Sequence, residues 1–525
     1  MNTQFLLIPK GASVPLFVSL FLCFCLIPFI KIPIFFADYW FSKWVVVYGA
    51  TIVFAFYVYA SKKIIFLPQF NHATFIGLGL IFIITIFNHI YYKASFLTPS
   101  FWDRLCFVLL SLSFFNFFRG NPSFIKNLLI TLFVANTFFI LSCIPTFYEF
   151  FCFELKNPNI LQKNFGNINM SAEFVGISLV LLISGRGYFK HSRFLIDILI
   201  CLSIIYCYYA SSRSIVVAVG FSFFVLICLK IIHLKRIILY IIICGIFLFS
   251  IELLIKHFST DFKNLSLYFT THYDKPSSTN VRWQIIMGTL EMIRDHPFGV
   301  GPGNYIFSFI PYMHRAMPGL NEMNIAQSPH NEYLRIIAED GIPFVLVLLI
   351  TFSFYLYSNK DKLKLIASNH PTIIGFFSFL IIQAAFQFPL INAFPFMITA
   401  CFVGYIFSIF HADHAISLSR KGWGLSALFV SLFFLIGIIS EAISFLYPFS
   451  SHLNKISYQL NRSNWQAAVQ AARIDMKEGN FISAQQMIDR ELEIHPDNFI
   501  ALSVKAELEG YTGNSYNYCI LLKKI

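Results

Sequence analysis

The chain has 525 residues, of which 57% are hydrophobic and 12% are charged, and its formal net charge is +12. Soluble domains carry about twice this share of charged residues, so the composition argues strongly against an ordinary soluble enzyme. The Lys and Arg residues lie mostly in short stretches between apolar runs. Membrane orientation therefore explains the basic charge better than nucleic-acid binding does, and no nucleic-acid partner is expected.

The apolar runs predict an all-α polytopic membrane protein with about 12–13 transmembrane helices. They lie at residues 14–30, 44–60, 73–90, 102–118, 125–144, 170–184, 194–209, 214–231, 237–254, 342–357, 371–388, 393–410 and 425–447. No small-residue cleavage site follows the first run, so we interpret it as a membrane helix and not as a cleaved signal. Several runs are short, which leaves room for a re-entrant pair.

Four regions follow from this pattern. Residues 1–254 carry the N-terminal membrane helices, 255–340 form a large polar loop, 341–447 carry the C-terminal membrane helices, and 448–525 form a polar helical tail. The even-numbered connections between spans hold about twice as many Lys and Arg residues as the short odd-numbered ones. By the positive-inside rule the N-terminus is cytoplasmic, and the large loop and the tail lie on the far side, the periplasm of a bacterial inner membrane.

The eleven cysteines do not suggest a disulfide framework, because most of them lie inside apolar runs. There they are predicted to be small core residues. No CxxC pair has a histidine partner, so the sequence predicts no metal site.

The first candidate site residues open two of the spans. The stretch FGNINMSAEFVG places Asn167, Asn169 and Glu173 at the start of the sixth span. Amides at a helix entry suit sugar hydroxyl groups, although plain helix capping is the commoner role. Arg213, in YYASSRSIVV, lies at the outer junction of two spans. It either pairs with an anion or anchors the chain at the lipid headgroups.

The large loop supplies the next candidate, Arg282, in NVRWQIIMGTLEMIRDHPFGVGPGNY. The pattern predicts a helix that begins after Ser278–Asn280, with Thr279 or Asn280 as N-cap, and ends before Pro297. Arg282 would then lie in the first turn, where a guanidinium and free backbone N–H groups suit phosphate oxygens. The alternative is an arginine that faces water. The turn GVGPGN lacks the context of a nucleotide-binding loop.

His330, in SPHNEYLRIIAEDGIPF, is the third candidate. The pattern predicts a helix that starts near Pro329, carries an apolar face of Tyr333, Leu334, Ile336 and Ile337, and leads into the next span. A neutral imidazole at the membrane boundary could accept a proton from an attacking hydroxyl. The alternative is a histidine that caps the helix. Neighbouring Asn331 is a candidate for glycan or acceptor contacts, together with Asn167, Asn169 and Glu173.

The tail contains one segment with repeat-like spacing. It places small or apolar residues where a tetratricopeptide repeat has them, except at Glu491. These residues are Ala468, Ala471, Ala472, Gly479, Ala484, Ile488 and Pro496. An ordinary helical hairpin is an equally good interpretation. A single repeat cannot bury its own face, so the segment should pack on a neighbour, on the large loop or on a protein partner.

Together these stretches resemble the O-antigen ligase family, which includes O-antigen polymerases and protein O-oligosaccharyltransferases. The resemblance covers roughly residues 160–350 and is most specific at HNEYL and DHPFGVGPGN. It implies a GT-C-like fold without metal, ATP or other cofactor. It also implies transfer of a glycan from an undecaprenyl-diphosphate carrier to an acceptor hydroxyl, on lipid A-core or on a protein. Arg213 and Arg282 would bind the donor diphosphate, and His330 would activate or position the acceptor.

Two alternatives remain at this point. A polymerase that extends the lipid-linked glycan would use the same donor and the same residues. The window before the sixth span reads NINM and lacks the glutamine typical of the protein-transferring branch, which weakens that assignment. A transporter or flippase is disfavoured by the basic outer loop and by the few intramembrane carboxylates, for which Asp197 and Glu252 are the candidates.

Overall fold

A computed structural model describes most of the chain. The described residues are 23–24, 26–30, 38–61, 65–92, 99–120, 124–152, 165, 167–210, 212–258, 278–316, 326, 328–411, 415–462, 464–496 and 498–513. The predicted run at 14–30 lies mostly outside them, as do the last residues of the tail.

Helices dominate the first half of the described chain. They are α1 (Asp38–Ser61), α2 (His72–Tyr91), α3 (Pro99–Gly120), α4 (Phe124–Cys152), α5 (Ile168–Gly185), α6 (Arg193–Tyr209), α7 (Arg213–Cys228) and α8 (Leu234–Phe258). A short strand, β1 (Ile65–Pro68), follows α1 and pairs antiparallel with β2 (Ala415–Leu418).

The second half is also helical. Its helices are α9 (Ser278–Asp295), α10 (Tyr305–Ser308), α11 (Ile310–Ala316), α12 (Glu332–Asp340), α13 (Ile342–Ser358), α14 (Lys360–Asn369), α15 (Pro371–Phe386), α16 (Ala393–Phe410), α17 (Arg420–Leu446), α18 (Ser451–Leu460), α19 (Trp465–Lys477), α20 (Phe481–Ile494) and α21 (Phe499–Tyr511).

The chain is an all-α polytopic membrane protein, as its hydropathy predicts. Every predicted span from 44–60 onward coincides with a helix. Among the described residues, seven helices are long and apolar enough to cross a membrane. The number rises to nine if each of two sharply bent pairs, α12 with α13 and α14 with α15, counts as one broken span. The bent pairs fit the re-entrant geometry that the short runs allow, and the count of 12–13 stays a prediction.

The membrane helices pack around a core of large apolar side chains, with α3 against α16 and α15 against α5 and α7 as the main contacts. Backbones approach closely where a glycine permits it. A Cβ on Gly404 in α16 would lie 2.5 Å from the carbonyl oxygen of Ser111 in α3. Small residues of this kind are how membrane helices bring their backbones together. Of the eight cysteines whose burial the structure describes, five are buried, as predicted for core residues.

One end of the bundle gathers several helix termini, and we call it the site end. There the Trp44 indole donates to the carbonyl of Ile391 at 2.8 Å, and the Ser212 hydroxyl donates to Asn169 Oδ1 at 2.8 Å. These bonds bring together the starts of α1, α5, α7 and α16. The opposite end carries the β1–β2 pair.

The tail forms a small core of its own at the site end. The predicted repeat positions Ala468, Ala471, Ala472, Ala484 and Ile488 are all buried in it. The hairpin of α19 and α20 is flanked by α18 and α21, so neighbouring helices cover its faces as predicted. It also reaches the large loop, where the Phe307 ring lies 6.0 Å from that of Trp465 and 4.7 Å from that of His495.

The buried Glu491 explains the tail's departure from the repeat pattern. Its carboxylate accepts hydrogen bonds from His495 Nδ1 at 2.7 Å and from Asn498 Nδ2 at 2.9 Å. A glutamate can therefore occupy a position where a small residue is usual, because two neighbouring side chains bind one of its carboxylate oxygens. Serines on α17 and α18 (Ser440, Ser444 and Ser457) join the tail to the last membrane helix.

Candidate active site

The glycine-rich turn that follows α9 (GVGPGN, residues 299–304) is hydrogen-bonded to the junction between α12 and α13, which we call the elbow. Backbone N–H groups of Val300 and Gly301 donate to the carbonyls of Ala338 and Glu339 at 2.9 and 3.0 Å. At the elbow, α12 and α13 meet at 120°. Gly341 has φ +89, and a Cβ there would lie 2.4 Å from the carbonyl carbon of Phe298. The turn therefore fixes the direction of α12.

The other end of α12 is held by its cap. Asn331 Oδ1 accepts from the Leu334 N–H at 3.0 Å, and Asn331 Nδ2 donates to the carbonyl of Ala385 at 3.0 Å. The Glu332 N–H donates to the carbonyl of Gln387 at 3.1 Å. The predicted start near Pro329 is thus wrong by a few residues, and Asn331, not His330, is the N-cap.

His330 precedes this cap in a left-handed conformation with φ +52. Such a backbone is uncommon for a residue other than glycine and points to a constraint imposed by the surroundings. The constraint comes from the cap that follows, which fixes the chain on α15. The imidazole ring lies 5.6 Å from the ring of Phe388, and its Nδ1 is buried without a hydrogen-bond partner among the described residues.

The most deeply buried charged side chains of α12 are acidic, which was not predicted, while Leu334 and Ile337 of the predicted apolar face pack against a hydrophobic cluster. Glu332, Glu339 and Asp340 are at most 4% exposed, whereas Tyr333 is 45% exposed. Arg335 neutralises two of these carboxylates, with contacts of 2.5 Å to Glu332 and 2.9 Å to Glu339. We call Arg104, Glu332, Arg335, Glu339 and Asp340 the α12 lock. Its remaining ion pair joins Arg104 of α3 to Asp340 at 2.6 Å.

Arg213, Arg282 and His330 come together beside the lock. Burial and the positive charge of Arg213 lower the pKa of Arg282. Burial and the charge of Arg282 in turn lower the pKa of His330, which keeps the imidazole neutral near pH 7. No carboxylate in the described parts of the chain forms an ion pair with Arg282. The three candidates, which lie far apart in the sequence, therefore share one site.

Arg282 reaches this site from a different position on its helix than predicted. Helix α9 begins at Ser278, so Thr279 and Asn280 lie inside it and Arg282 is in the second turn. The predicted N-cap and the first-turn position are both wrong, because the helix extends one turn further toward its N-terminus. The predicted end before Pro297 is confirmed, since α9 ends at Asp295.

Comparison with known families covers this part of the chain. Residues 198–350 match the family model described as O-Antigen ligase. This confirms the resemblance over that segment, which contains Arg213, Arg282 and His330. No curated protein matches the chain. The match supports glycosyltransferase activity of the O-antigen ligase or polymerase type.

We call the place where Arg213, Arg282 and His330 come together the ligase-like site. The remaining candidate residues separate into two groups. Asn167 caps α5 by accepting from the Asn169 N–H at 2.8 Å, and Asn331 caps α12, so both amide oxygens have structural partners. Asn169 holds Ser212, the residue before Arg213. Glu173 is different, because it is 2% exposed and accepts from Asn392 Nδ2 at 2.6 Å inside the bundle.

Several polar residues near the ligase-like site were missed from the sequence. Gln383, Gln387 and Asn392 line the region between His330 and Glu173, and Arg104 and Arg335 form the lock. The sequence signal that could have identified them is the presence of two glutamines, Gln383 and Gln387, near the end of the apolar run at 371–388. Asp103 and Glu173 also lie inside helices that qualify as spans, so intramembrane carboxylates are less scarce than predicted. No His/Cys/Asp/Glu cluster suited to a metal occurs among the described residues.

Proposed function

We propose that the protein transfers a glycan from an undecaprenyl-diphosphate carrier to an acceptor hydroxyl. The observation that carries this proposal is the convergence of Arg213, Arg282 and His330 within the segment that matches the O-Antigen ligase model. A lipid-linked donor also accounts for the location of these residues at one end of a membrane bundle. In this proposal the site end faces the periplasm of a bacterial inner membrane.

The two arginines hold the donor. Arg282 is half-buried and is repelled by the positive charge of Arg213, and an anion bound beside Arg282 would relieve that repulsion. A diphosphate supplies oxygens for several charge-assisted hydrogen bonds. As the glycosyl bond breaks, negative charge grows on the leaving diphosphate, and fixed guanidinium groups stabilise that charge.

His330 acts on the acceptor. Its lowered pKa leaves the imidazole unprotonated at neutral pH, as a general base requires. The acceptor oxygen forms a bond to the anomeric carbon, the bond from that carbon to the diphosphate oxygen breaks, and the hydroxyl proton passes to His330. The carrier leaves as undecaprenyl diphosphate. The neighbouring positive charge of Arg282 favours the later return of the proton to water.

The test is glycan transfer by purified protein with a lipid-linked glycan donor, with lipid A-core, a protein or a second lipid-linked glycan offered as acceptor. His330→Ala should lower transfer by about 10²–10⁴-fold, the usual contribution of a general base. His370→Ala is the matched control, because His370 is another partly buried histidine and bonds to Tyr405 away from the site. Unimpaired transfer by folded His330→Ala protein would contradict the assignment. Consumption of lipid A-core or a protein would indicate a ligase, and consumption of the second lipid-linked glycan would indicate a polymerase.

A further inference from the structure

A small cavity lies inside the bundle at the site end, and we call it the Glu173 pocket. Its walls come from α1, α5 and the start of α16. Its polar side chains are Lys43, Glu173 and Asn392, and its aromatic walls are Phe165 and Phe394. The Lys43 ammonium donates to the carbonyl of Ile30 and lies 5.1 Å from the Phe165 ring centroid.

The pocket contains hydrogen-bond acceptors that nothing in the described protein satisfies. Glu173 Oε2 accepts from Asn392 Nδ2, but Glu173 Oε1 and Asn392 Oδ1 are buried without a partner among the described residues. Each unsatisfied buried group costs about 1–3 kcal/mol. Native proteins rarely retain such groups, so each needs an explanation.

The chemistry of these atoms specifies what they bind. The Asn392 amide oxygen only accepts hydrogen bonds, and so does Glu173 Oε1 in the ionised carboxylate, so the missing partner of the ionised form must donate. The cavity volume is about 10 Å³, which fits a single hydroxyl group or water molecule but not a sugar ring. The expected occupant is therefore one hydroxyl that projects from a larger molecule lying outside the pocket.

A row of amides connects the pocket to His330. Gln383 and Gln387 lie one turn apart on α15, whose last turn holds the cap of α12. The Gln383 side chain is fully buried and close enough to the Glu173 carboxyl group to interact with it, but neither its nitrogen nor its oxygen makes a hydrogen bond of ordinary length and angle in the described chain. Gln387 lies beside His330, and its Nε2 is likewise unpartnered. Unsatisfied polar atoms thus run from the proposed base to the pocket.

We propose that the Glu173 pocket binds one hydroxyl of the sugar next to the reacting bond, with Glu173 and Asn392 as its acceptors. The pocket would make the enzyme specific for sugars that carry a hydroxyl at that ring position. This inference rests on the proposed function. The sugar belongs either to the donor glycan or to the acceptor, because the hydroxyl chemistry is the same in both.

Transfer kinetics test the proposal through Glu173→Gln, which keeps the shape of the side chain but replaces an acceptor oxygen with a donor. The probes are prenyl-diphosphate-linked glucose, galactose and N-acetylglucosamine with their monodeoxy forms, together with matching deoxy acceptors. Wild-type protein should lose about 10–100-fold in kcat/KM for the one deoxy sugar that cannot fill the pocket. In Glu173→Gln protein, kcat/KM for the parent sugar should fall by a similar factor. The variant should then have the same kcat/KM for the parent sugar and for that deoxy form.

The KM that changes identifies the source of the hydroxyl, since a donor sugar alters the donor KM and an acceptor sugar alters the acceptor KM. Glu491→Gln is the matched control, because Glu491 is also a buried glutamate with one unpartnered oxygen but lies in the tail. It should leave kcat/KM unchanged. If the pocket holds only water, Glu173→Gln should lower kcat/KM by the same factor, relative to wild type, for the parent sugar and for every deoxy sugar. That result would overturn the proposal.

A binding measurement keeps this inference separate from the proposed transfer reaction. Full-length His330→Ala protein is titrated by isothermal calorimetry with the same prenyl-diphosphate sugars and, separately, with the matching acceptor sugars. Weaker binding in the His330→Ala, Glu173→Gln double variant, for the parent sugar but not for its deoxy form, supports the pocket even if no transfer is observed. Equal binding by both variants, for donor and acceptor sugars alike, overturns the pocket and leaves the transfer reaction standing.

Discussion

Two groups of arginines lie at the same end of the bundle, and their partners differ. In the α12 lock, Arg104 pairs with Asp340 and Arg335 bridges Glu332 and Glu339. In the ligase-like site, no described carboxylate forms an ion pair with Arg282, and the charge that acts on it is the positive one of Arg213. The first group is neutralised by the protein's own carboxylates. The second keeps positive charge beside His330.

This is the difference that we expect between an arginine with a structural role and one that binds a ligand. A buried ion pair contributes little net stability compared with apolar packing, but removing one partner is costly because the other charge remains buried. Arg282 pairs with no described carboxylate and is repelled by Arg213, and an incoming anion would relieve that repulsion. The lock holds α12, and with it His330, in position, whereas Arg282 lies beside His330 without such a carboxylate.

The largest effect is expected from Arg335→Met, which leaves Glu332 and Glu339 buried without their cation. The free energy of unfolding should fall by about 3–5 kcal/mol. The measurement is the thermal unfolding midpoint in detergent, with Arg282→Met as the matched substitution. Arg282→Met should change the free energy of unfolding by less than about 0.5 kcal/mol. Equal destabilisation by the two variants would remove the distinction between the lock and the ligase-like site.

The sequence predicted the membrane helices well because long apolar runs have few alternatives to a helix in a bilayer. It also proposed Arg213, Arg282 and His330 as site residues, since cations and an imidazole are conspicuous in a chain this apolar, and their role in binding and catalysis stays a prediction. It did not predict that α12 buries its acidic face. An amphipathic pattern normally turns charges toward water, and one of the two cations that reverse this, Arg104, lies more than two hundred residues from its partner Asp340.

The Glu173 pocket was equally hard to predict, for a related reason. Glu173 was a candidate, but its partner Asn392 comes from a distant helix start, and Gln383 gives no signal beyond being polar in an apolar run. Contacts between residues far apart in sequence decide which polar groups are satisfied. The contact between the glycine-rich turn and the α12–α13 junction was also missed. The sequence does not show that the backbone at Gly341 approaches Phe298 too closely for a side chain to fit.

A smaller effect is expected in the pH dependence. Arg282 lowers the pKa of His330, so Arg282→Gln should raise that pKa. Since the base must be unprotonated, the acidic limb of kcat/KM should move to higher pH in this variant. Arg282→Lys keeps the positive charge and should leave the limb where it is in the wild type. A limb that stays in place in Arg282→Gln would show that Arg282 does not act on the base.

The central claim is that Arg213 and Arg282 hold the donor diphosphate, and the most direct measurement is the Kd of a prenyl diphosphate for the purified protein. Arg282→Gln should weaken binding by about 10–100-fold, the value of a charge-assisted hydrogen bond. Arg294→Gln is the control, because Arg294 lies on the same helix with its side chain 75% exposed and should bind like the wild type. An Arg282→Gln protein that is folded and binds prenyl diphosphate with unchanged affinity would contradict the account.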